Sequence, residues 1–399
     1  MTRKPFVLFL VTACVFQAAA AAVIGLDRPP SRDEGPFLVN IRHFMGGVTL
    51  EKLRSYPEIK GPLMFIVYAK VADVVGFEPW KLRTLSVAIS IVTYCVYYLL
   101  LWHVFRSHKV AWLACGLLMV NPYMIRLSVF IYVDMMPLLF LIGFLALVLR
   151  GKVIPAFVVL AGTLLVSQHY VFALAGVGLF YAARALLCRE KRVHSALMLI
   201  GCGLSMVPFG LLVLLWHGIC PPKAALVIPR DESLYHPNYL TAYILLLPVY
   251  VAPILLLRLK SVYFSLRRIA SACLLSVYYY FFPVRLSRLA EGHTPAIGMF
   301  HRLVQLGTRG NRSLEHVVLY LTFALGIPVL LCLIRDCYGK VRGREFDLAL
   351  LLDLMILSFL LIMPFSFLVW EKYFVPVIPL LSVRLLLIGR TGDDAGSHP

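Results

Sequence analysis

Apolar runs of about twenty residues follow one another along nearly the whole chain, and few folds tolerate that pattern. Of the 399 residues, 61% are hydrophobic and only 15% are charged. A soluble domain carries about 25% charged residues and does not repeat such runs. Twelve apolar segments are legible, near 5–26, 82–105, 110–126, 132–150, 153–168, 170–184, 195–216, 239–257, 261–283, 315–334, 346–369 and 372–389. In lipid, a chain with no surplus backbone partners must close its hydrogen bonds within each segment, so these runs predict helices. The expected fold is therefore all-α, a polytopic transmembrane protein of about twelve spans in one domain over 1–390, with a polar tail over 391–399. The first run starts after Arg3 and Lys4 and ends at Asp27-Arg28-Pro29-Pro30, a poor cleavage context, so it is expected to stay as a span.

The formal net charge is +18. Its basic residues fall in short linkers, 106–109, 150–152, 184–192, 258–268 and 335–344, and form no stripe of the kind nucleic acid needs. The positive-inside rule places those linkers in the cytoplasm. The opposite loops, 27–81, 127–131, 168–170, 217–238, 284–314 and 370–371, then face outward. The nine cysteines mostly lie inside apolar runs and show no metal-ligand spacing, so they read as small packing residues.

The outer set holds the unusual polar residues. Asp33 and Glu34 follow the first span, and Asp134 heads the fourth. Gln168 and His169 sit at a turn, and His217 follows Trp216. Arg285, Arg288 and Arg302 lie in the 284–314 loop, with Arg309 and Arg312 after them, and Glu371 opens the last span. Each has an ordinary explanation. Acids favour helix starts, and arginines in loops are solvated. Trp216 and Tyr278-Tyr279-Tyr280 read as interfacial belt aromatics. The other explanation is that these groups meet a polar substrate, with the arginines on a phosphate. Carboxylates at 33, 34 and 134 are oxygen ligands of the type that hold Mg²⁺ or Mn²⁺, although no spacing demands a metal. The first outer loop also holds a short amphipathic run from Phe37 to Met45. After it comes an apolar stretch, Pro62 to Val75, too short to span.

Three features together resemble the C-type glycosyltransferases (GT-C), membrane enzymes that use polyprenyl-phosphate sugars. The first is the loop opening with Asp33-Glu34, followed by the Gly61-Pro62-led apolar run and Trp80-Lys81-Leu82-Arg83. The second is Asn121-Pro122-Tyr123 followed by Asp134, and the third is Glu371-Lys372-Tyr373-Phe374-Val375-Pro376. Protein O-mannosyltransferases and lipid A aminoarabinose transferases share this pattern. Ser167-Gln168-His169-Tyr170, Trp216-His217-Gly218 before Pro221-Pro222, and His236-Pro237-Asn238-Tyr239 are similar to the dolichyl-phosphate-glucose α-1,2-glucosyltransferases, with Ser167 departing from an arginine there.

The resemblance implies a GT-C architecture with a structured first outer loop. It also implies transfer of a hexose, with inversion, from a polyprenyl- or dolichyl-phosphate donor to a glycan, lipid or protein acceptor on the extracytoplasmic side. Asp33 would be the general base, with Glu34 orienting it or the acceptor. Asp134, Gln168, His169, His217, Arg285, Arg288, Arg302 and Glu371 would bind substrate. The implied location is the cell membrane of a prokaryote or the endoplasmic reticulum membrane of a eukaryote, and nucleic acid is not an expected partner. A transporter or flippase of lipid-linked sugar is the competing expectation. The lack of internal repeats and the gathering of polar residues at one edge weigh against it.

Overall fold

Prolines and small polar residues set where the helices begin. Pro79, Pro122, Pro222 and Pro237 each occupy a first helical position, where a missing N–H costs nothing. Asn121, Ser107, Thr49, Asn311 and Asp347 accept a backbone N–H at a helix start, as capping side chains do. The structure, a computed structural model, describes residues 3–31, 33–226, 234–286 and 296–388. Among the described residues every regular element is a helix.

Six helices are long and apolar enough to cross a bilayer: Lys4–Ile24, Pro79–Phe105, Gln168–Leu187, Arg189–Trp216, Arg312–Gly343 and Leu348–Phe365. His108–Met119 and Pro122–Val129 make a further candidate, bent by 72° at Asn121 and Pro122. Met135–Leu149, Val153–Val166, Pro237–Val249 and Val377–Leu387 are apolar and shorter. The chain is thus an all-α, integral, multi-pass membrane protein.

Besides 110–126, which bends at Asn121 and Pro122, two more expected spans are broken. The segment 239–257 forms Pro237–Val249 and Ala252–Leu257, because Pro253 supplies no N–H to continue the first helix. The segment 261–283 is divided into Leu259–Tyr263, Leu266–Leu275 and Val277–Phe281. The Arg268 guanidinium turns back onto the carbonyls of Ser261 and Val262, which the first of these helices leaves unpaired at its end.

The chain divides into two compact units. One comprises Met1–Val171 with Leu197–Ile228; the other comprises Phe172–Ala196 with Pro229–Pro399. In the first unit, residues 27–81 carry three helices, Glu34–Phe44, Leu50–Ser55 and Leu63–Val75. Gly46 and Gly47 end the first of them with φ of 73° and 140°, values that a side chain would strain. Backbone approaches are close in both units. A Cβ on Gly61 would lie 2.1 Å from the Leu165 carbonyl oxygen, and in the second unit one on Gly326 would lie 2.2 Å from that of Ile244. At the second of these, where Arg312–Gly343 meets Pro237–Val249, a small residue lets two helices associate in lipid, where burying apolar surface supplies no drive.

Candidate functional site

The first unit is built around a charged pair that water does not reach. Arg83, five residues into Pro79–Phe105, donates from Nε to Glu34 Oε1 at 3.0 Å and from Nη2 to Oε2 at 2.7 Å. Both side chains are completely buried. The guanidinium also donates to the carbonyls of Leu26 at 2.6 Å and Arg28 at 2.7 Å. The Glu34 oxygens accept the Ser31 N–H at 2.8 Å and the Ile131 N–H at 2.9 Å. Burial alone would raise the Glu34 pKa. The Arg83 hydrogen bonds and the two amides outweigh it and hold the carboxyl below its ordinary value. Glu34 therefore carries a fixed negative charge, and four donors take up its oxygens.

That arrangement ties three stretches of chain together: the end of the first span, the start of Glu34–Phe44, and residues 130–134 before Met135–Leu149. Asp33 and Asp134 stand at the ends of the two stretches that the Glu34 carboxylate joins. Asp33 occupies the cap position of its helix, yet its side chain makes no capping bond. It is half-buried. Asp134 likewise sits at a helix start without capping it. Its side chain is buried, and Oδ2 has no hydrogen-bond partner. A buried carboxylate oxygen left unpaired costs about 1–3 kcal/mol or more, so its retention asks for a reason. Helix capping does not supply one for Asp134.

A second junction in the same unit joins residues 56–62 to the 166–170 turn. Lys60 is only 8% exposed, and its Nζ lies 2.9 Å from His169 Nδ1. With the ammonium donating, Nδ1 accepts and the His169 ring proton sits on Nε2. Gln168 Nε2 donates to the Ile59 carbonyl at 2.6 Å, and the Gly61 N–H donates to the Val166 carbonyl at 3.1 Å. These bonds seat the 56–62 segment on the 166–170 turn. Lys60 was not singled out from sequence. The available signal was a lysine directly before Gly61-Pro62, entering an apolar run, where an ammonium needs a partner.

Other expected residues have different surroundings. His217 is exposed and takes a left-handed conformation, φ 53°, just past Trp216. Trp216 is no belt residue: it is buried, and its indole N–H donates to the Leu53 carbonyl at 2.8 Å. Of the tyrosine run in the second unit, Tyr279 is buried and Tyr280 is exposed.

Arg285, Arg302 and Glu371 belong to the second unit, and Arg288 lies outside the described residues. Arg285 and Arg302 are exposed. Glu371 is buried and accepts the Tyr250 hydroxyl at 2.5 Å, the Phe300 N–H at 2.9 Å and the His301 N–H at 2.8 Å. The last two are first-turn amides of Met299–Gly307, so this carboxylate holds a helix N-terminus.

The expectation that polar residues gather at one edge needs correction. In the second unit Arg384 is 2% exposed within Val377–Leu387. It donates to Asp353 Oδ1 at 2.6 Å and to Asp336 Oδ2 at 2.6 Å. Asp353 is wholly buried within Leu348–Ile362. Lone charges in two apolar runs were the sequence signal, since each is tolerable there only beside the other.

As for a metal, no group of three His, Cys, Asp or Glu side chains among the described residues is placed to hold one. Glu34, one of the three expected oxygen ligands, is already taken up by Arg83 and two amides. Among the described residues the expected carboxylates therefore do not fit a bound cation.

No family model matches the chain, and no curated protein matches it significantly. Among solved structures the chain is similar to the crystal structure of ArnT from Cupriavidus metallidurans in the apo state. Sequence identity is 14% and the TM-score is 0.45, over 96% of this chain and 78% of that one.

Proposed function

We propose that this protein is a GT-C glycosyltransferase that moves a hexose from a polyprenyl-phosphate donor to a hydroxyl acceptor. The observation that carries the reading is the buried Glu34–Arg83 pair, whose carboxylate joins the stretches ending in Asp33 and Asp134. In addition, the ordered resemblance of the sequence motifs supports the class. Asp33 takes the acceptor proton as the new bond to the anomeric carbon forms. The bond from that carbon to the phosphate oxygen breaks, and its electron pair leaves with the polyprenyl phosphate. Attack opposite the leaving group inverts the anomeric centre.

Asp134 holds the acceptor through its unpaired oxygen. Lys60, set by His169, faces the charge that develops on the phosphate. Lys60 has a better claim to that role than Arg285 or Arg302, because it is buried and shares a unit with both acids. Glu34 is a positioning residue. The deciding experiment incubates the purified protein with radiolabelled polyprenyl-phosphate hexoses and scores transfer to lipid and glycan acceptors, beside an Asp33→Asn variant. Transfer lost in the variant supports the reading; equal transfer by both overturns Asp33 as the base.

A second reading, flipping of lipid-linked sugar, is favoured by one observation: Arg384, Asp353 and Asp336 placed within the apolar helices of the second unit. Proteoliposomes would separate the two. Movement of a fluorescent polyprenyl-phosphate lipid between leaflets, unaffected by Asp33→Asn and abolished by Arg384→Met, would favour flipping.

A further inference from the structure

Helix Met299–Gly307 is amphipathic, with its two faces in different environments. His301 and Val304 are buried, whereas Leu303 is 60% exposed and Leu306 is 66% exposed. The inner face is held by polar bonds that leave little play. Glu371 accepts the amides of Phe300 and His301. The Ile297 N–H donates to His301 Nδ1 at 3.2 Å, so the ring proton is on Nε2, which donates to Glu315 Oε1 at 2.6 Å. The outer leucines thus face away from these partners on a fixed helix.

Two features say what covers them. The first is position. Only residues 308–311 separate the helix from Arg312–Gly343, one of the six long apolar helices, whose start must lie near a membrane surface. That long helix carries an exposed stripe at Leu314, Val317, Leu321 and Leu325, each more than half exposed and spaced three or four residues apart. On a helix that crosses a bilayer an exposed apolar stripe is the lipid-facing side, and the leucines of the short helix come immediately before it. At about 13 Å the short helix cannot span. The second feature is charge: Arg302, on the helix, and Arg309 and Arg312, just after it, are all exposed.

We propose that Met299–Gly307 lies in the membrane interface, with Leu303 and Leu306 in the acyl boundary and Arg302, Arg309 and Arg312 binding anionic phospholipid headgroups. The partner is the bilayer itself, and the inference stands apart from the catalytic reading above. A helix of this composition gains from apolar insertion and from anionic lipid together.

The test uses the full chain in nanodiscs. Tryptophan introduced by Leu306→Trp is read against the parent protein in discs of ordinary and brominated phospholipid. Its extra fluorescence should be quenched in the brominated discs. In a second arm, phosphatidylglycerol retained by detergent-purified protein is counted by native mass spectrometry. Retention should fall by about fivefold or more in a variant carrying Arg302→Gln, Arg309→Gln and Arg312→Gln. Thermal unfolding of both variants should match the parent, since every substituted side chain is exposed. An unquenched tryptophan, with or without a shift to a dimer on sizing, overturns the proposal. So does unchanged phosphatidylglycerol retention. Retention of added polyprenyl phosphate in place of phosphatidylglycerol would assign the arginines to a donor lipid and likewise overturn it.

Discussion

Arg83 and Glu34 meet fork to fork, 49 positions apart in the chain, with both side chains fully withdrawn from solvent. Neither residue is stable there alone, because a buried charge without its partner costs several kcal/mol. The pair also organises backbone, since the carbonyls of Leu26, Arg28 and Pro29 and the amides of Ser31 and Ile131 bond to it. It is the joint through which two acids from separate helices come to adjoining stretches.

Breaking that joint should be costly. Arg83→Met is expected to destabilise the protein by about 3–5 kcal/mol, and the double variant with Glu34→Gln should recover part of the loss. Thermal unfolding in detergent checks this. The pH dependence has a definite sign. The Glu34 carboxyl titrates below its ordinary value of 4.5, so its stabilising contribution is present above that value and is lost as pH falls through the lowered one. The stability gap between the parent and Glu34→Gln should be constant from neutral pH down to about 5 and should close in stronger acid.

Asp33→Asn should behave differently from Glu34→Gln. Asp33→Asn keeps the size of a half-buried side chain, whereas Glu34→Gln disturbs a carboxylate that four donors hold, so Asp33→Asn should cost the smaller part of the stability. Transfer should drop by about 10²–10⁴, the usual contribution of a general base. Glu34→Gln should lower stability and transfer together. A transfer assay paired with unfolding separates the two roles.

Lys60→Met removes a buried ammonium 2.9 Å from His169 Nδ1. With a phosphate donor the loss should appear mainly as a kcat lowered about tenfold or more, because the charge that Lys60 faces develops as the donor bond breaks. His169→Ala should shift the same constant in the same direction by less. Steady-state kinetics with varied donor measures both.

Gly326 and Gly339 lie on the same helix and should respond oppositely to alanine. At Gly326 the added carbon would meet the Ile244 carbonyl oxygen at 2.2 Å, whereas at Gly339 nothing lies within 4 Å. Gly326→Ala is expected to destabilise by about 1–3 kcal/mol through overpacking. Gly339→Ala should stabilise by up to about 1 kcal/mol, the helix-propensity difference. Thermal unfolding of the two variants side by side checks the contrast.

Arg384→Leu should leave Asp353 buried without its partner and lower stability by about 3–5 kcal/mol, with Asp353→Asn in the same chain restoring part of it. If both single variants keep the parent's unfolding midpoint, the pair is not the buried lock its geometry describes.

Much of the architecture was legible in the residues. A run of twenty apolar side chains can satisfy its backbone in lipid only as a helix, so class and approximate boundaries follow from hydropathy alone, and Gly46-Gly47 marks the end of the Phe37–Met45 run by local chemistry. The break at Asn121-Pro122 falls inside the expected span 110–126, where hydropathy does not show it. Asp33 and Asp134 stood out for the same local reason, as acids at the ends of apolar segments. Side-chain partnership was hidden. Whether Glu34 faced a substrate or Arg83, whether Lys60 met His169, and whether Trp216 faced lipid or Leu53 depend on residues 49, 109 and 163 positions away. No periodicity records such distances. They were settled by how the helices pack, because a buried charge or N–H takes whichever partner the tertiary arrangement brings within reach.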